Sequence, residues 1–220
     1  SAEIWKHTWL RYQVNAPSTN REMQVQVVYT PSRNAEIYTR FRYSSRMKNE
    51  LERSTAGIRS LGKMDAQQFR LQFSTKIDAA LRIRTRLEWR KLGSGSTEQG
   101  FTLYTDLIYK PLLAPYSGNL RLQVFDTDGY DSRIYAYEND VLYYYGVPAL
   151  SGRGYRAYLN LGWEPFNNIG VWAKTAITIY KDSSEIGSGL ELLEGSRKTE
   201  WRLQFIWTKN PAEAQPQRFW

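Results

Sequence analysis

The chain contains no cysteine and only one histidine, His7. Without cysteine there is no disulfide framework, no thiolate nucleophile and no cysteine-based metal site. A single histidine, with no Gly-x-Ser-x-Gly elbow and no phosphate-binding loop, leaves too few groups for the usual catalytic sets. The sequence therefore predicts a chain that is not an enzyme and that uses no cofactor.

The sequence also lacks any run of eighteen apolar residues, so it predicts no membrane-spanning helix. A membrane strand needs only about ten residues with every second one apolar. Aromatic residues make up 15% of the chain, including 16 Tyr and 8 Trp, and their amphipathic rings favour the level of lipid headgroups. The composition is therefore compatible with a protein that crosses a membrane with strands.

The stretch from Ala79 to Lys91 alternates apolar and charged residues along its length. Its apolar members are Leu81, Ile83, Leu87 and Trp89, and its charged members include Arg82, Arg84, Arg86, Glu88 and Arg90. Successive side chains of a strand point to opposite faces, so this pattern predicts an apolar medium on one side and water on the other. The same alternation returns at Gln68 to Ser74 and at Trp201 to Thr208. We expect Leu81, Ile83, Leu87, Trp89, Leu203 and Phe205 to face lipid.

Ten segments have the pattern of strands. They are Glu3 to Val14, Glu22 to Thr30, Ala35 to Ser44, Ala66 to Ser74, Asp78 to Lys91, Gly100 to Lys110, Gly118 to Phe125, Arg153 to Glu164, Gly170 to Tyr180 and Thr199 to Thr208. Short connections rich in turn residues alternate with long ones, the arrangement of bacterial outer-membrane barrels. The sequence predicts an all-β fold, a transmembrane antiparallel up-and-down β-barrel of about ten strands. A larger barrel, of which this chain forms part, is the alternative.

Residues 1–208 are predicted to form the barrel, and 209–220 a periplasmic C-terminal tail with two prolines. The long connection from Asp126 to Gly152 is predicted to pack rather than to be loose, because its tyrosines and its aliphatic residues, such as Ile134 and Val141, supply apolar area. It either extends the strands beyond the membrane or folds over the barrel mouth. The segment Gly93 to Thr97, GSGST, is interpreted as a loop tip.

Arginines occupy the alternate positions that form the polar side of several predicted strands. The predicted lumen row is Arg40, Arg42, Arg70, Arg82, Arg84, Arg86, Arg121, Arg156 and Arg202. Glu88, Asp106 and Glu200 lie on the same side and are the expected counter-charges. Buried charges must be paired, and a narrow barrel is filled by side chains. We therefore expect a paired interior, with a narrow anion-preferring pore as the alternative.

The sequence FDTDGYDSR offers three carboxylates, Asp126, Asp128 and Asp131, beside a glycine. Calcium prefers several oxygen ligands on a flexible loop, so these residues are candidate calcium ligands. The EF-hand pattern is incomplete because its bidentate glutamate at loop position twelve is missing. Turn-forming aspartates in a long loop are the competing interpretation.

Four segments resemble a known family. They are Phe101 to Lys110 (FTLYTDLIYK), Phe125 to Tyr143 (FDTDGYDSRIYAYENDVLY), the RGYRAYLNL strand and Ile186 to Gly195 (IGSGLELLEG). In their order and spacing they resemble the C-terminal β-barrel region of helix-hairpin-helix-containing outer-membrane proteins of the Bacteroidota. The resemblance covers roughly residues 100 to 208, and Glu22 to Trp89 only in pattern. It implies an outer-membrane barrel and no particular activity. The family's helix-hairpin-helix segment is absent from this sequence, so DNA binding is not carried over.

The sequence thus predicts a bacterial outer-membrane β-barrel that serves as a structural or accessory subunit of an envelope complex. Its expected partners are outer-membrane lipid, lipopolysaccharide and other envelope proteins, and no nucleic acid is predicted for this chain. The net charge of +8 keeps one further alternative open, a soluble basic β-barrel that binds nucleic acid or glycan.

Overall fold

The computed structural model describes residues 1–53, 59–94, 96–187, 189 and 192–209. The fold is all-β, and most of it is one antiparallel up-and-down sheet of ten strands. Within the described ranges, no helix has the length and apolar composition needed to cross a membrane. Residues 210–220, most of the predicted tail, lie outside the described residues.

Ten long strands form the main sheet. They are β1 (Ala2–His7), β2 (Ser18–Ser32), β3 (Ala35–Arg53), β4 (Arg59–Lys76), β5 (Leu81–Ser94), β6 (Ser96–Tyr109), β7 (Tyr116–Thr127), β10 (Arg153–Phe166), β11 (Ile169–Tyr180) and β14 (Arg197–Trp207). Two short hairpins lie in the long connections, β8 (Ile134–Tyr135) with β9 (Ala149–Leu150) and β12 (Glu185–Ile186) with β13 (Leu193–Glu194). Each of the ten predicted strands corresponds to one strand of the main sheet.

The strands of the main sheet lie in sequence order and each neighbouring pair is antiparallel. Short connections at 33–34, 77–80, 110–115 and 167–168 share one edge, the short-turn rim. The other connections lie at the opposite edge, which we call the long-loop rim because it carries the two longest connections, 128–152 and 181–196. Among the described residues, the pairing runs from β1 to β14 and does not join these two strands to each other.

Cross-strand register separates the two faces of the sheet. Leu87 lies opposite Leu71 on one side and Leu103 on the other, while Asp106 lies between Arg84 and Arg121. Directly opposed residues of antiparallel strands point to the same face. One face therefore carries the alternating apolar residues of β2 to β7, β10, β11 and β14, and we call it the apolar face. The other carries the arginines and carboxylates and is called the polar face.

Burial is reversed relative to a water-soluble sheet. On the polar face, Asp106 is 0% exposed and Arg121 is 1% exposed. On the apolar face, Leu122 is 60% exposed and Leu203 is 79% exposed. The predicted contrast between the faces is confirmed, and the charged face is the covered one.

Several predicted boundaries are wrong. β1 ends at His7 and does not reach Val14, and the predicted loop Ser45 to Asp65 consists largely of strand. β5 and β6 also continue through most of the predicted loop Leu92 to Gln99, so that Gly93 of the GSGST segment pairs with Thr97. The middle residue of that segment, at position 95, lies outside the described residues. Main-chain pairing extends these strands where the side chains no longer alternate between apolar and polar.

Candidate functional site

Residues 128–152, which we call the inner segment, fold back over the polar face. The segment has its own hairpin, in which Ile134 pairs with Leu150, and a further bridge joins Glu138 to Gly146. Its aliphatic side chains Ile134, Ala136, Val141 and Leu150 are buried, whereas most of its tyrosines are exposed. Ala136 and Leu150 form a small core with Tyr104 and Phe125 of the sheet, and Tyr180 packs beside it. The predicted packing of this connection is confirmed for its aliphatic residues but not for its tyrosines. The segment lies against the polar face of the sheet, a position that differs from both predicted placements.

Glu138 of the inner segment is surrounded by strand cations. Its Oε1 accepts a hydrogen bond of 2.6 Å from Nε of Arg156, and its Oε2 accepts bonds of 2.9 Å from Nη2 of Arg156 and 3.0 Å from Nζ of Lys174. Arg156 also donates to Oε2 of Glu200 at 3.0 Å. Two oxygens matched to a guanidinium fork form the strongest type of charge-assisted pair.

Asp140 lies two residues further along the inner segment and is equally buried. Its Oδ2 accepts hydrogen bonds of 2.7 Å from Nζ of Lys174 and 2.7 Å from Nη1 of Arg202. The Arg202 guanidinium also lies 4.2 Å from the centroid of the Tyr144 ring. Glu138 and Asp140 thus connect the inner segment to three strands, β10, β11 and β14.

Asp106 forms the second centre of the site. Arg121 donates to its two oxygens at 2.6 and 2.8 Å, and Nη2 of Arg84 donates to Oδ2 at 2.7 Å. The remaining nitrogen of Arg121, Nη1, donates to the main-chain oxygen of Tyr137 at 2.7 Å. Arg121 also stacks on Tyr104, with its guanidinium 3.8 Å from the ring centroid. Arg121 of β7 therefore connects Asp106 of β6 to the inner segment.

A neutral network lies beside these ions. The Tyr158 hydroxyl contacts Oδ1 of Asn119 at 2.5 Å, and Nδ2 of Asn139 donates to the same oxygen at 3.0 Å. The main-chain nitrogen of Asn139 donates to the Tyr158 hydroxyl at 3.2 Å. Buried polar groups are costly unless they are hydrogen-bonded, and here the inner segment provides the partners.

The other predicted lumen arginines occupy the polar face in varied surroundings. Arg70 forms a bidentate pair with Glu88, and Arg42 pairs with Glu22 at 2.6 Å. Nε of Arg86 donates to Oε1 of Gln72 at 2.9 Å. Arg82 is exposed and Arg40 is half-buried. The three expected counter-charges all form ion pairs. Glu88 pairs with Arg70, Asp106 with Arg84 and Arg121, and Glu200 with Arg156 and Lys198.

The pKa of Glu138 is lowered from its ordinary value of 4.5. Burial by itself raises this pKa, because a low-dielectric surrounding disfavours the charged form. The hydrogen bonds and charges of Arg156 and Lys174 act in the opposite direction and outweigh it. Glu138 is therefore ionised at neutral pH, which the paired geometry requires.

The three predicted calcium ligands each contact a different protein group. Oδ2 of Asp126 accepts from Arg153 at 2.8 Å, and Oδ2 of Asp128 accepts from the Gln99 nitrogen at 2.8 Å. Asp131 lies 3.8 Å from both Lys48 and Arg133. In the part of the chain that the structure describes, no group of three metal-ligand side chains is arranged to hold an ion. The geometry does not support the calcium prediction, because each carboxylate already has a protein partner.

The sequence interpretation missed Glu138, Asp140, Lys174 and Tyr158. Lys174 and Tyr158 stand at the polar parity of predicted strands, where the rule that selected the arginines applies to them equally. Glu138 and Asp140 lie in a long connection, and carboxylates there are normally solvated. Their signal is the run of apolar residues around them, YAYENDVLY, which marks a segment able to be buried.

The ion pairs around Asp106, Glu138, Asp140 and Glu200, which we call the charged cluster, form two groups with six cations and four carboxylates in total. Arg84 and Arg121 share Asp106, and Arg156, Lys174, Lys198 and Arg202 share Glu138, Asp140 and Glu200. Such an arrangement fixes one segment against a sheet, and each of its cations already has a carboxylate partner. In comparisons with protein-family models, curated proteins and solved structures, nothing matches this chain. The family resemblance noted above stays a prediction.

Proposed function

We propose that this chain is a β-barrel of the bacterial outer membrane, with the apolar face toward lipid and the interior filled by the inner segment. In this proposal it is a structural or accessory subunit of an envelope assembly, without catalytic activity. The sheet curls around the inner segment, and β1 meets β14 to close it.

The reversed burial of the two faces carries this proposal. Large apolar side chains on β14 are mostly exposed, including Trp201 at 76% and Leu203 at 79%, while the ion pairs are covered. Soluble monomers rarely expose a contiguous apolar patch larger than a few hundred Å². Here the apolar positions of all the long strands after β1 form one such surface, which supports a lipid neighbour and disfavours the soluble nucleic-acid or glycan binder.

The height of the apolar face also fits a bilayer. From Leu81 to Trp89 the strand β5 has nine residues, which matches the about 9 to 11 residues of a tilted strand that crosses a bilayer. Aromatic rings occupy both ends of the apolar face. At the short-turn rim Tyr109 and Tyr116 stack with ring centroids 6.0 Å apart, and Trp163 lies opposite Tyr116. Trp89 lies at the other end. Tyrosine and tryptophan favour the two membrane interfaces.

The pairing inside the charged cluster favours a structural role over an anion pore. Arg84, Arg121, Arg156 and Arg202 each have a carboxylate partner, and the inner segment lies in the space through which a solute would pass. A narrow barrel sits near the size that side chains fill.

The pore is the second candidate because of the arginines outside the charged cluster. Arg82 on β5 is exposed and Arg40 on β3 is half-buried, and both lie toward the short-turn ends of their strands. Cations in such positions attract anions to the mouth of a channel.

Vesicle flotation tests the proposal. The refolded chain is mixed with phospholipid vesicles, washed with alkaline carbonate and centrifuged through a sucrose gradient, with urea-unfolded chain as the control. We expect the folded chain to float and to remain with the lipid after the wash. A monodisperse folded chain that stays at the bottom without detergent would contradict membrane insertion and favour the soluble alternative.

A further inference from the structure

Four cations of the polar face have no carboxylate partner within the described residues. They are Arg40 of β3, Lys76 of β4, and Arg82 and Arg86 of β5, and we call them the cation patch. A positive charge on the inward side of a sheet is costly unless an anion or a hydrogen-bonding partner compensates for it. The patch therefore has the charge needed to attract an anion.

Arg86 is half-buried, and neither of its side-chain contacts is a carboxylate. Its Nε and Nη2 donate to the same atom, Oε1 of Gln72, at 2.9 and 2.5 Å. Its guanidinium also lies 5.5 Å from the centroid of the Tyr104 ring. These contacts orient the guanidinium without neutralising it. In the described part of the chain Nη1 of Arg86 makes no hydrogen bond, so this nitrogen is free to donate to a ligand.

Arg40 and Arg86 stand two strands apart, with Arg70 of β4 between them. Arg70 lies directly opposite both Arg40 and Glu88, and a bidentate pair joins it to Glu88. Its charge is therefore already compensated. Neighbouring strands lie about 4.8 Å apart, so the main chains of Arg40 and Arg86 are roughly 12 Å apart. Two long arginine side chains can contact one ligand across that distance.

Lys76 and Arg82 form the outer part of the patch. They lie directly opposite each other near the short-turn rim, and both are exposed. Directly opposed like charges destabilise a sheet, and an anion between them removes the repulsion. Glu36 of β3 lies on the same face, opposite Ser74, and forms no ion pair within the described ranges. Four cations less this one carboxylate leave an excess of three positive charges.

The inner segment does not cover the cation patch. Its hydrogen bonds and ion pairs to the sheet involve β6, β7, β10, β11 and β14. Near the long-loop rim it also contacts Lys48 of β3 and Arg90 of β5. Among the described residues, no hydrogen bond or ion pair joins it to any of the four cations. The patch is thus open to a ligand that arrives from the short-turn rim.

We propose that the cation patch binds a small soluble ligand that carries at least two phosphate-type groups. Guanidinium forks match the oxygens of such groups, and the excess of three charges favours a multiply charged ligand over a single halide ion. One group contacts Arg40 and Arg86, and the other contacts Lys76 and Arg82. This site goes beyond the proposed structural role. It lies on the polar face and does not depend on what surrounds the apolar face.

Isothermal titration calorimetry of the folded full chain in a non-ionic detergent tests the cation patch. The probe is sodium pyrophosphate, and sodium chloride keeps the ionic strength constant because salt screens exposed charges. Arg86→Gln removes the oriented guanidinium. Arg40→Gln removes a cation that makes no hydrogen bond or ion pair in the described ranges, so the fold should be unaffected. The control is Arg197→Gln, which changes the charge equally at an exposed site of β14 on the opposite rim.

We expect saturable binding of pyrophosphate to the unchanged protein, and binding about tenfold weaker for Arg40→Gln and for Arg86→Gln, because each loses a charge-assisted contact. Arg197→Gln should bind as the unchanged protein does, and Arg86→Lys, which keeps the charge, should recover part of the loss. Heat that does not saturate at millimolar pyrophosphate, or equal weakening in all three glutamine variants, would overturn the site. Because the protein is in detergent, neither result depends on membrane insertion.

Discussion

Arg156 of β10 and Glu138 of the inner segment form a bidentate pair in which both side chains are almost completely buried, at 4% and 1% exposure. The two residues are 18 positions apart in sequence, and their contact joins the sheet to the segment that covers it. Lys174 and Glu200 complete the surroundings of the pair. A buried ion pair is expensive to break because each partner is then left without compensation.

Replacement of Glu138 by glutamine should therefore destabilise the fold strongly. The loss of one charge leaves Arg156 and Lys174 with too few carboxylates, and breaking a buried pair typically costs about 3 to 5 kcal/mol. Denaturant unfolding of the reconstituted protein measures the change. Glu194→Gln is the control because this glutamate is exposed on β13. Similar unfolding midpoints for the two variants would show that the pair contributes little.

The attachment of the inner segment to the sheet should weaken in strong acid. The folded pKa of Glu138 lies below its ordinary value of 4.5, so its pairing contributes full stability above about pH 4.5. That contribution declines as the pH falls below 4.5 and is lost once the pH has passed through the folded pKa. Limited proteolysis between residues 128 and 152 by an acid-active protease should thus increase only in strongly acidic buffer. Cleavage of the inner segment that already increases well above pH 4.5 would contradict the lowered pKa of Glu138.

Adjacent positions on β5 should respond differently to a change of charge. Ile83 belongs to the apolar face, and an arginine facing lipid near the midplane costs about 2 to 4 kcal/mol. Arg84→Gln removes one of two arginines on Asp106, and Arg121 keeps its two bonds to that carboxylate, so the loss should be small. Unfolding in vesicles compares Ile83→Arg with Arg84→Gln. Equal losses of stability would refute the assignment of the faces.

The intact chain should conduct ions poorly, and removal of the inner segment should open a path. Replacing 130–150 with a short Gly-Ser connector removes Glu138 and Asp140, so Lys174 and Arg202 lose their carboxylate partners and Arg156 keeps only Glu200. Planar-bilayer recordings should then show steady currents that favour anions. Adding Arg156→Gln and Lys174→Gln to the deletion should reduce that preference. Steady anion currents through the unmodified chain would instead favour the pore.

The sequence alone predicts the strands well where one face is apolar. Leu81 to Trp89 and Trp201 to Trp207 alternate with one exception each, Thr85 and Ile206, and both lie within strands of the main sheet. Prediction fails near the long-loop rim, because Arg46 and Lys48 stand where water surrounds the strand and no apolar alternation marks it. There the main-chain pairing with β4 decides the extent of β3.

The ion-pair partners could be predicted only in part. Asp106 and Arg121 are cross-strand neighbours at the same parity, so their contact follows from the register. The contact of Glu138 with Arg156 depends on how a long connection folds back, and local alternation contains no information about that path. The nine arginines of the predicted lumen row outnumber the three expected counter-charges, and this imbalance does not show that the inner segment supplies the others.

Tryptophan quenching by brominated lipid tests the membrane-facing orientation most directly. Trp201 lies on the apolar face at 76% exposure, and Trp172 lies on the polar face at 7% exposure. Two variants, each retaining one of these tryptophans with the others replaced by phenylalanine, are reconstituted in vesicles whose acyl chains carry bromine. Strong quenching of Trp201 and little quenching of Trp172 is the predicted result. Equal quenching of both, or quenching of Trp172 alone, would contradict a lipid-facing apolar surface around a filled polar interior.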